Sequence, residues 1–167
     1  NDTTARLNDG TNRLLISDIY STCPLKLALK YSELTTDQFF AILNLRIKVF
    51  VVEQNCPYQE LDQFDLISTH IFGVIDGKVM AVGRIFQKDD IQFIGRIAID
   101  KEHRKKGYAR SIMNYSLNYI KVNYPNMKTV LSAQEYLSDF YNSLGFKLMG
   151  KTYLEDGIPH VKMIYFN

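Results

Sequence analysis

The stretch "HRKKGYAR", residues 103–110, decides the fold. It lies in a basic segment, 101–110, that holds five positively charged side chains and one acid. A strand-like run ends at Ile99, and an apolar helical repeat begins just after Gly107. The first turn of a helix has unpaired N–H groups and a partial positive charge, so a basic turn there favours a phosphate-bearing ligand. A solvated run of charge is the alternative interpretation of this segment alone.

The spacing of apolar residues on both sides of this turn predicts an alternation of strands and helices. Thr35 and Gln38 form a capping box that begins a helix. Asp76-Gly77 is typical of a hairpin turn, and Gly145 is placed to end a helix in the left-handed conformation. The predicted elements are a strand over 25–31, a helix over 35–50, an acidic loop over 53–66, strands over 70–75, 79–86 and 91–99, a helix from about 107 to about 120, a strand over 129–133, a helix over 137–144 and strands over 146–153 and 159–166.

Length and composition narrow the class of protein. A chain of 167 residues argues for a single domain, 25–167, after an N-terminal extension, 1–24, that we expect to be partly disordered. The net charge of +2 carries no overall signal for nucleic acid, and no apolar run is long enough to cross a bilayer. Two cysteines, Cys23 and Cys56, do not make a disulfide scaffold, so the expected location is cytoplasmic. We predict no metal site.

Four stretches together resemble one known family. "RKKGYA", 104–109, matches the (Q/R)-x-x-G-x-(G/A) signature of the GCN5-related N-acetyltransferases, the GNAT family. "AQEYLSDFYNSLGF", 133–146, is similar to that family's second signature. "VFVVEQNCPYQELD", 49–62, and "EDGIPH", 155–160, resemble its ElaA-like branch. The resemblance implies the GNAT fold, an α/β (α+β) arrangement whose central mixed, mostly antiparallel twisted sheet is flanked by helices.

The resemblance also implies acetyl-CoA as the cosubstrate. The family binds the pyrophosphate on the amides of the basic turn, here Lys105 to Arg110, and pairs the pantetheine with a bulged strand, here near Ile97 and Ile99. It places a tyrosine, here Tyr141, near the CoA sulfur, where a phenol can protonate the leaving thiolate; a core aromatic is the alternative. The residues predicted to bind the cofactor are Ile97, Ala98, Ile99, Arg104, Lys105, Lys106, Gly107, Tyr108, Ala109 and Arg110.

The nature of the amine acceptor is predicted from charge. Segment 53–65 holds four acids and no base, which suits a cationic substrate. An alkyl amine with a pKa of about 10.4 needs a group that accepts its proton. Two strand arginines either hold an anionic group of the substrate or pair with the loop acids, and the first case favours an amino-sugar phosphate such as glucosamine 6-phosphate. A polyamine-like small amine and a lysine or N-terminal amine of a protein are the other candidate acceptors. The candidate bases are Glu53, His70 and His160, and the candidate substrate-binding residues are Glu60, Asp62, Arg84 and Arg96.

The leading functional hypothesis is direct transfer of an acetyl group from acetyl-CoA to a primary amine. A CoA-binding module without turnover and a protein N-acetyltransferase are the alternatives. A covalent step at Cys56 is a weaker hypothesis, because no Cys–His signature accompanies it. The expected partners are the amine acceptor and, in a homodimer, a second copy of the chain. Nucleic acid and membrane are not expected as partners.

Overall fold

The computed structural model describes residues 24–166, and seven strands and three α-helices follow one another in the predicted order. The predicted N-terminal extension, 1–24, lies outside the described residues except for its last position. The strands are β1 Leu25–Lys30, β2 Thr69–Ile75, β3 Lys78–Lys88, β4 Ile91–Ile99, β5 Lys128–Gln134, β6 Lys147–Glu155 and β7 Ile158–Tyr165. The helices are α1 Thr36–Ile47, α2 Tyr108–Asn123 and α3 Ser138–Asn142.

All seven strands join one sheet in the order β1-β2-β3-β4-β5-β7-β6. Every neighbouring pair is antiparallel except β4 and β5, which are parallel, so the predicted mixed, mostly antiparallel sheet is confirmed. Asp76 and Gly77 both have positive φ, as the predicted tight turn between β2 and β3 requires. Among the described residues, no helix has the length and apolar character needed to cross a bilayer.

Two apolar layers cover opposite faces of the sheet. On one face, α2 buries Ile112, Met113 and Ile120 against β3, β4, β5 and β7. On the other face, α1 buries Ile42 and Leu45 against residues of β2, β3 and β4. Because α1 covers only the first half of the sheet, the same face of β5, β7 and β6 carries polar side chains instead.

An irregularity in β4 opens the sheet at its centre. Arg96 has a φ of 56°, and the register with β3 shifts there, so β4 carries one residue more than β3. Gly83 lies opposite, where an added Cβ would come within 2.7 Å of Ile97 Cδ1. The parallel pairing of β4 with β5 covers only residues 91–93, so it ends before the bulge. Within the described residues, the edge of β4 from Ile94 onward therefore faces β5 without a strand partner.

The segment that follows α1 departs from prediction. Thr35 caps the helix as expected, accepting from the Gln38 amide at 3.1 Å. The α-helix ends at Ile47, however, and continues as a π-helix over Lys48–Glu53. The chain is thus helical through the predicted end near residue 50, but it is α-helical only to Ile47 and π-helical beyond it. A π-turn inserts one extra residue and re-aims the side chains that follow, and such turns are frequent at functional sites.

α1 also carries a buried arginine that holds the acidic loop against the sheet. Arg46 is 1% exposed. Its Nε donates to Glu60 Oε1 at 2.5 Å, and its Nη1 donates to Asp65 Oδ1 at 2.6 Å. Asp62 caps the short 3-10 helix Gln63–Ile67 by accepting from the Phe64 amide. The loop that follows the π-helix is thus fixed by ion pairs as well as by apolar packing.

We expect Arg46→Met to destabilise the fold by roughly 3–5 kcal/mol, because it removes the buried cation that Glu60 and Asp65 share and leaves each of them with one arginine partner. Urea unfolding followed by circular dichroism would measure the change. Lys48→Met is the matched control, since Lys48 pairs with Asp100 at 2.9 Å but is half exposed and should matter little. An equal change in both variants would contradict the anchoring role of Arg46.

Candidate active site

A cleft of about 850 Å³ opens where β4 and β5 separate. One wall is the free edge of β4, from Ile94 to Ile99, and the other is β5 from Leu131 to Gln134. The cleft runs from the basic turn before α2 to the turn between β6 and β7. Basic residues line one end of the cleft and acidic residues line the other.

The basic turn enters α2 through two residues in the left-handed conformation. Lys105 has a φ of 60° and Gly107 a φ of 81°. Gly107 occupies the N-cap position, so the first amides of the 16-residue helix are left without a side-chain cap. Arg104 ties this turn to its surroundings, donating from Nε to the Ile99 carbonyl at 3.0 Å and from Nη2 to Glu53 Oε2 at 2.6 Å.

The predicted cofactor residues divide into two groups by position. Those in β4 lie along its unpaired edge, where peptide groups are available to an extended ligand. Arg110 points elsewhere, donating to Ser143 Oγ at 2.7 Å and stacking on Phe140. The predicted residues that line the cleft are Ile97, Ala98, Ile99, Arg104, Lys105 and Ala109, and those outside its lining are Lys106, Gly107, Tyr108 and Arg110.

Tyr141 lies on α3 at the middle of the cleft wall. It is 6% exposed and packs edge-on against Phe140 and Phe146. Burial, together with the neighbouring phenol of Tyr136, raises the pKa of Tyr141 to about 12. The hydroxyl therefore keeps its proton at neutral pH and can donate it. Gly145 ends this segment with a φ of 98°, as predicted.

The acidic loop is neutralised by arginines. Arg84 donates to both carboxylate oxygens of Asp62, at 2.8 and 2.9 Å, and contacts Asp65 at 2.9 Å. Arg96 lies 3.0 Å from Glu60, whose other oxygen accepts from Arg46. Of the two alternatives for the strand arginines, the structure shows the pairing with the loop acids, and their role as substrate-binding residues stays a prediction. Arg84 and Arg96 line the cleft, whereas Glu60 and Asp62 do not.

The aromatic ring of Tyr58 completes this wall, and sequence reasoning missed it. Its hydroxyl is hydrogen-bonded to Glu60, and the Arg96 guanidinium lies 5.7 Å from its ring centroid. Burial and the hydrogen bond to Glu60 raise the pKa of Tyr58. The phenol is therefore a donor that keeps Glu60 in place.

The two candidate histidines have different surroundings. His70 is fully buried in β2, outside the cleft lining, and burial lowers its pKa. His160 lines the cleft, and its Nδ1 lies 2.8 Å from the Ile158 carbonyl oxygen. Because a carbonyl oxygen only accepts, Nδ1 carries a proton and Nε2 of the neutral ring can accept one. Of these two, His160 alone is placed to act on a ligand in the cleft.

Two hydrogen-bonded contacts join the walls of the cleft at the end near the β6–β7 turn. Gln54 and Gln134 exchange amide hydrogen bonds, the shorter being 3.1 Å. The Cys56 thiol donates to the Asp156 carbonyl at 3.6 Å. The segment after the π-helix thus reaches over to β5 and to the β6–β7 turn. Within the part of the chain that the structure describes, Cys56 forms no hydrogen bond with a histidine, which gives no support to a covalent step.

A polar relay lies beside His160 on the uncovered face of the sheet. Ser132 Oγ donates to Glu155 Oε2 at 2.9 Å, and the Tyr153 hydroxyl lies 2.5 Å from the same Oγ. Tyr153 stacks on His160 with a centroid distance of 6.2 Å. Sequence reasoning missed this group, because Ser132 lies on β5, 21 and 23 residues away from its partners on β6, and such a separation has no distinguishing pattern.

A model of the acetyltransferase (GNAT) domain matches residues 36–165 of the chain. The chain belongs to the GNAT acetyltransferase family. ElaA of Escherichia coli is 39% identical over 140 residues, which cover 81% of this chain and 92% of ElaA. A UPF0039 protein of Schizosaccharomyces pombe is 41% identical over 136 residues, or 80% of this chain and 91% of the relative.

Solved structures agree with this assignment. The crystal structure of Escherichia coli ElaA superimposes with a TM-score of 0.81 at 37% identity, covering 85% of this GNAT chain and 99% of ElaA. An acyl-CoA N-acyltransferase from Pseudomonas aeruginosa gives a TM-score of 0.82 at 33% identity, covering 85% and 99%. The predicted GNAT fold and the ElaA-like branch are confirmed, and the chain is an acyltransferase that uses acyl-CoA.

The buried ion pairs of this GNAT chain predict that its free energy of unfolding changes with pH over a limited range. Burial alone would raise the pKa of Asp65, but hydrogen bonds and charge from Arg46 and Arg84 outweigh it and lower the pKa to about 2. Because this carboxyl binds its proton less readily when folded, its contribution is complete above about pH 4. It is lost as the pH falls towards 2.

The stability difference between wild type and Asp65→Asn should therefore shrink by about 2 kcal/mol between pH 4 and pH 2. Urea unfolding at several pH values would measure it. Asp37→Asn, at an exposed position in the first turn of α1, is the control and should show no comparable change in that window. A difference for Asp65→Asn that stays constant with pH would contradict the ion-pair account.

Proposed function

We propose that the protein is an acetyl-CoA-dependent N-acetyltransferase that moves the acetyl group directly to a primary amine. The observation that supports this most is the continuity of one cleft. It joins a basic helix entrance, an unpaired strand edge, a buried protonated phenol and a histidine with a free accepting nitrogen. We further propose that residues 25–167 act as one acetyltransferase domain. A homodimer stays a prediction.

Acetyl-CoA supplies a thioester whose carbonyl carbon accepts the amine. We assign its pyrophosphate to the amides of the basic turn with Lys105, and its pantetheine to the free edge of β4. Arg104 is already committed to Glu53 and the Ile99 carbonyl, so its role is to shape the turn. Arg104 also lines the cleft.

In the proposed reaction, the amine nitrogen attacks the thioester carbon in a ternary complex. The C–N bond forms, the C–S bond breaks, and CoA leaves as a thiolate. Tyr141 donates a hydrogen bond and then its proton to the sulfur, while His160 Nε2 accepts the proton of the attacking nitrogen. Proton return from His160 to Tyr141 through solvent restores both groups. Glu53 is the alternative base, since it lines the same cleft.

The ion pairs bear on the choice of acceptor. The amino-sugar phosphate hypothesis depended on strand arginines free to bind an anion. Arg84 and Arg96 are both matched by loop carboxylates, so they have little reason to recruit a phosphate. We therefore favour a cationic amine without a phosphate group. A lysine or N-terminal amine of a protein is the alternative acceptor.

The test is a thiol-release assay with acetyl-CoA over a panel of amines that includes glucosamine 6-phosphate. We expect Tyr141→Phe to lower kcat by about 10²-fold with little change in acetyl-CoA affinity, because only a transition-state proton donor is lost. Tyr115→Phe is the control, since Tyr115 is half-buried on α2 outside the cleft lining. A kcat of Tyr141→Phe within threefold of wild type would reject Tyr141 as the acid.

The base is identified by pH dependence. We expect His160→Gln to lower kcat by about 10²-fold and to remove the acidic limb of the kcat/KM profile for the amine. Glu53→Gln should keep that limb and should raise the KM for acetyl-CoA, because it releases Arg104 from its ion pair. The opposite pattern, with the limb lost only in Glu53→Gln, would assign the base to Glu53.

A further inference from the structure

The charged groups around the cleft are matched in pairs, except for one group at the α2 end and two at the β6–β7 turn. Arg104 pairs with Glu53, Arg84 with Asp62, and Arg96 with Glu60. At the α2 end, Lys105 lines the cleft without an ion pair among the described residues. At the other end, Glu155 and Asp156 do the same. The cleft is therefore positive where the phosphates are assigned and negative at the β6–β7 turn.

Glu155 is held in a defined direction. The one hydroxyl proton of Ser132 points to Glu155 Oε2, so the Tyr153 hydroxyl donates to Ser132 Oγ. This relay orients one oxygen and leaves Oε1 for a ligand. Lys162 lies beside Ser132 in the register of β5 and β7 but forms no ion pair with Glu155 and is outside the cleft lining.

The relay is also close to the proposed reaction centre. His160 is paired in register with both Gln134 and Tyr153, and its ring stacks on Tyr153. Ile158 lies opposite Glu155 in the hairpin and lines the cleft, so it offers apolar contact between the carboxylate and the histidine. A ligand bound to Glu155 would extend along this wall towards His160.

The chemistry of a carboxylate limits what such a ligand can be. Glu155 would hold a ligand amine in an ion pair, and a nearby opposite charge favours the protonated form of that amine. Such an ammonium group has no free electron pair and cannot attack the thioester. If Glu155 binds a cation of the acceptor, the attacking amine must be a second group on the same molecule.

We propose that Glu155, oriented by Ser132 and Tyr153, binds the distal ammonium group of an acceptor that carries at least two amines, such as an alkyl diamine or polyamine. This inference rests on the proposed N-acetyltransferase function and adds the class of its acceptor. The second amine lies at His160, which accepts its proton. The methylene chain between the two amines contacts Ile158.

The first experiment compares kcat/KM for 1,5-diaminopentane and 1-aminopentane, which differ only in the distal amine. Wild type should prefer the diamine by at least tenfold, as a charge-assisted hydrogen bond predicts. Glu155→Gln should reduce that preference to less than threefold without changing the KM for acetyl-CoA. Glu135→Gln is the control. Glu135 also accepts a hydrogen bond from a hydroxyl group, that of Thr152 at 2.7 Å, but it lies outside the cleft lining. This variant should keep the preference for the diamine.

A second measurement separates this inference from the proposed function. Calorimetric titration of CoA-loaded protein with 1,5-diaminopentane needs no turnover, and Glu155→Gln should weaken binding at least tenfold while Glu135→Gln does not. Absence of acetyl transfer to any amine would overturn the proposed function, and the titration would still decide the binding site. Equal binding by wild type and Glu155→Gln, or equal use of both amines by wild type, would overturn the inference.

Discussion

A single buried guanidinium determines the shape of the acceptor side. Arg46 lies in the last turn of α1 and pairs with carboxylates at two points of the following loop, Glu60 and Asp65. Arg84 and Arg96 extend this network to β3 and β4. Since removal of one member leaves charge unpaired in the interior, the network links the loop, the bulged strand and the first helix into one unit. The wall of the cleft is rigid for that reason and nearly neutral.

Because the wall is nearly neutral, the unpaired charges determine which ligands the cleft attracts. An acid that already has an arginine adds little attraction for a cationic ligand, so segment 53–65 is a scaffold in spite of its composition. The charges that remain to attract a ligand are Lys105 and the helix entrance at one end of the cleft, and Glu155 at the other. In the proposed reaction, the anionic cofactor and the cationic acceptor therefore bind at opposite ends of the same cleft, with Tyr141 and His160 between them.

Local signals in the sequence were sufficient for the order of elements. Thr35, Asp76-Gly77 and Gly145 each act through backbone geometry within four residues, so their structures followed prediction. Arg46 could not be predicted, because in sequence it resembles an arginine on a helix surface and its burial depends on acids 14 and 19 residues away. The π-helix after Ile47 has no residue signature. Glu155 was missed because its significance depends on which other acids are already paired.

The free edge of β4 bears on the tendency of the protein to aggregate in a concentrated solution. Unpaired strand edges invite strand addition from other chains and lead to aggregation, and proteins usually shield them at the rim of a sheet. Here the edge lies inside the sheet, between β4 and β5, where a narrow ligand fits but a second polypeptide with its side chains would meet both walls. The opening that we assign to an extended cofactor is therefore shielded from foreign strands by β5, which flanks it on the other side.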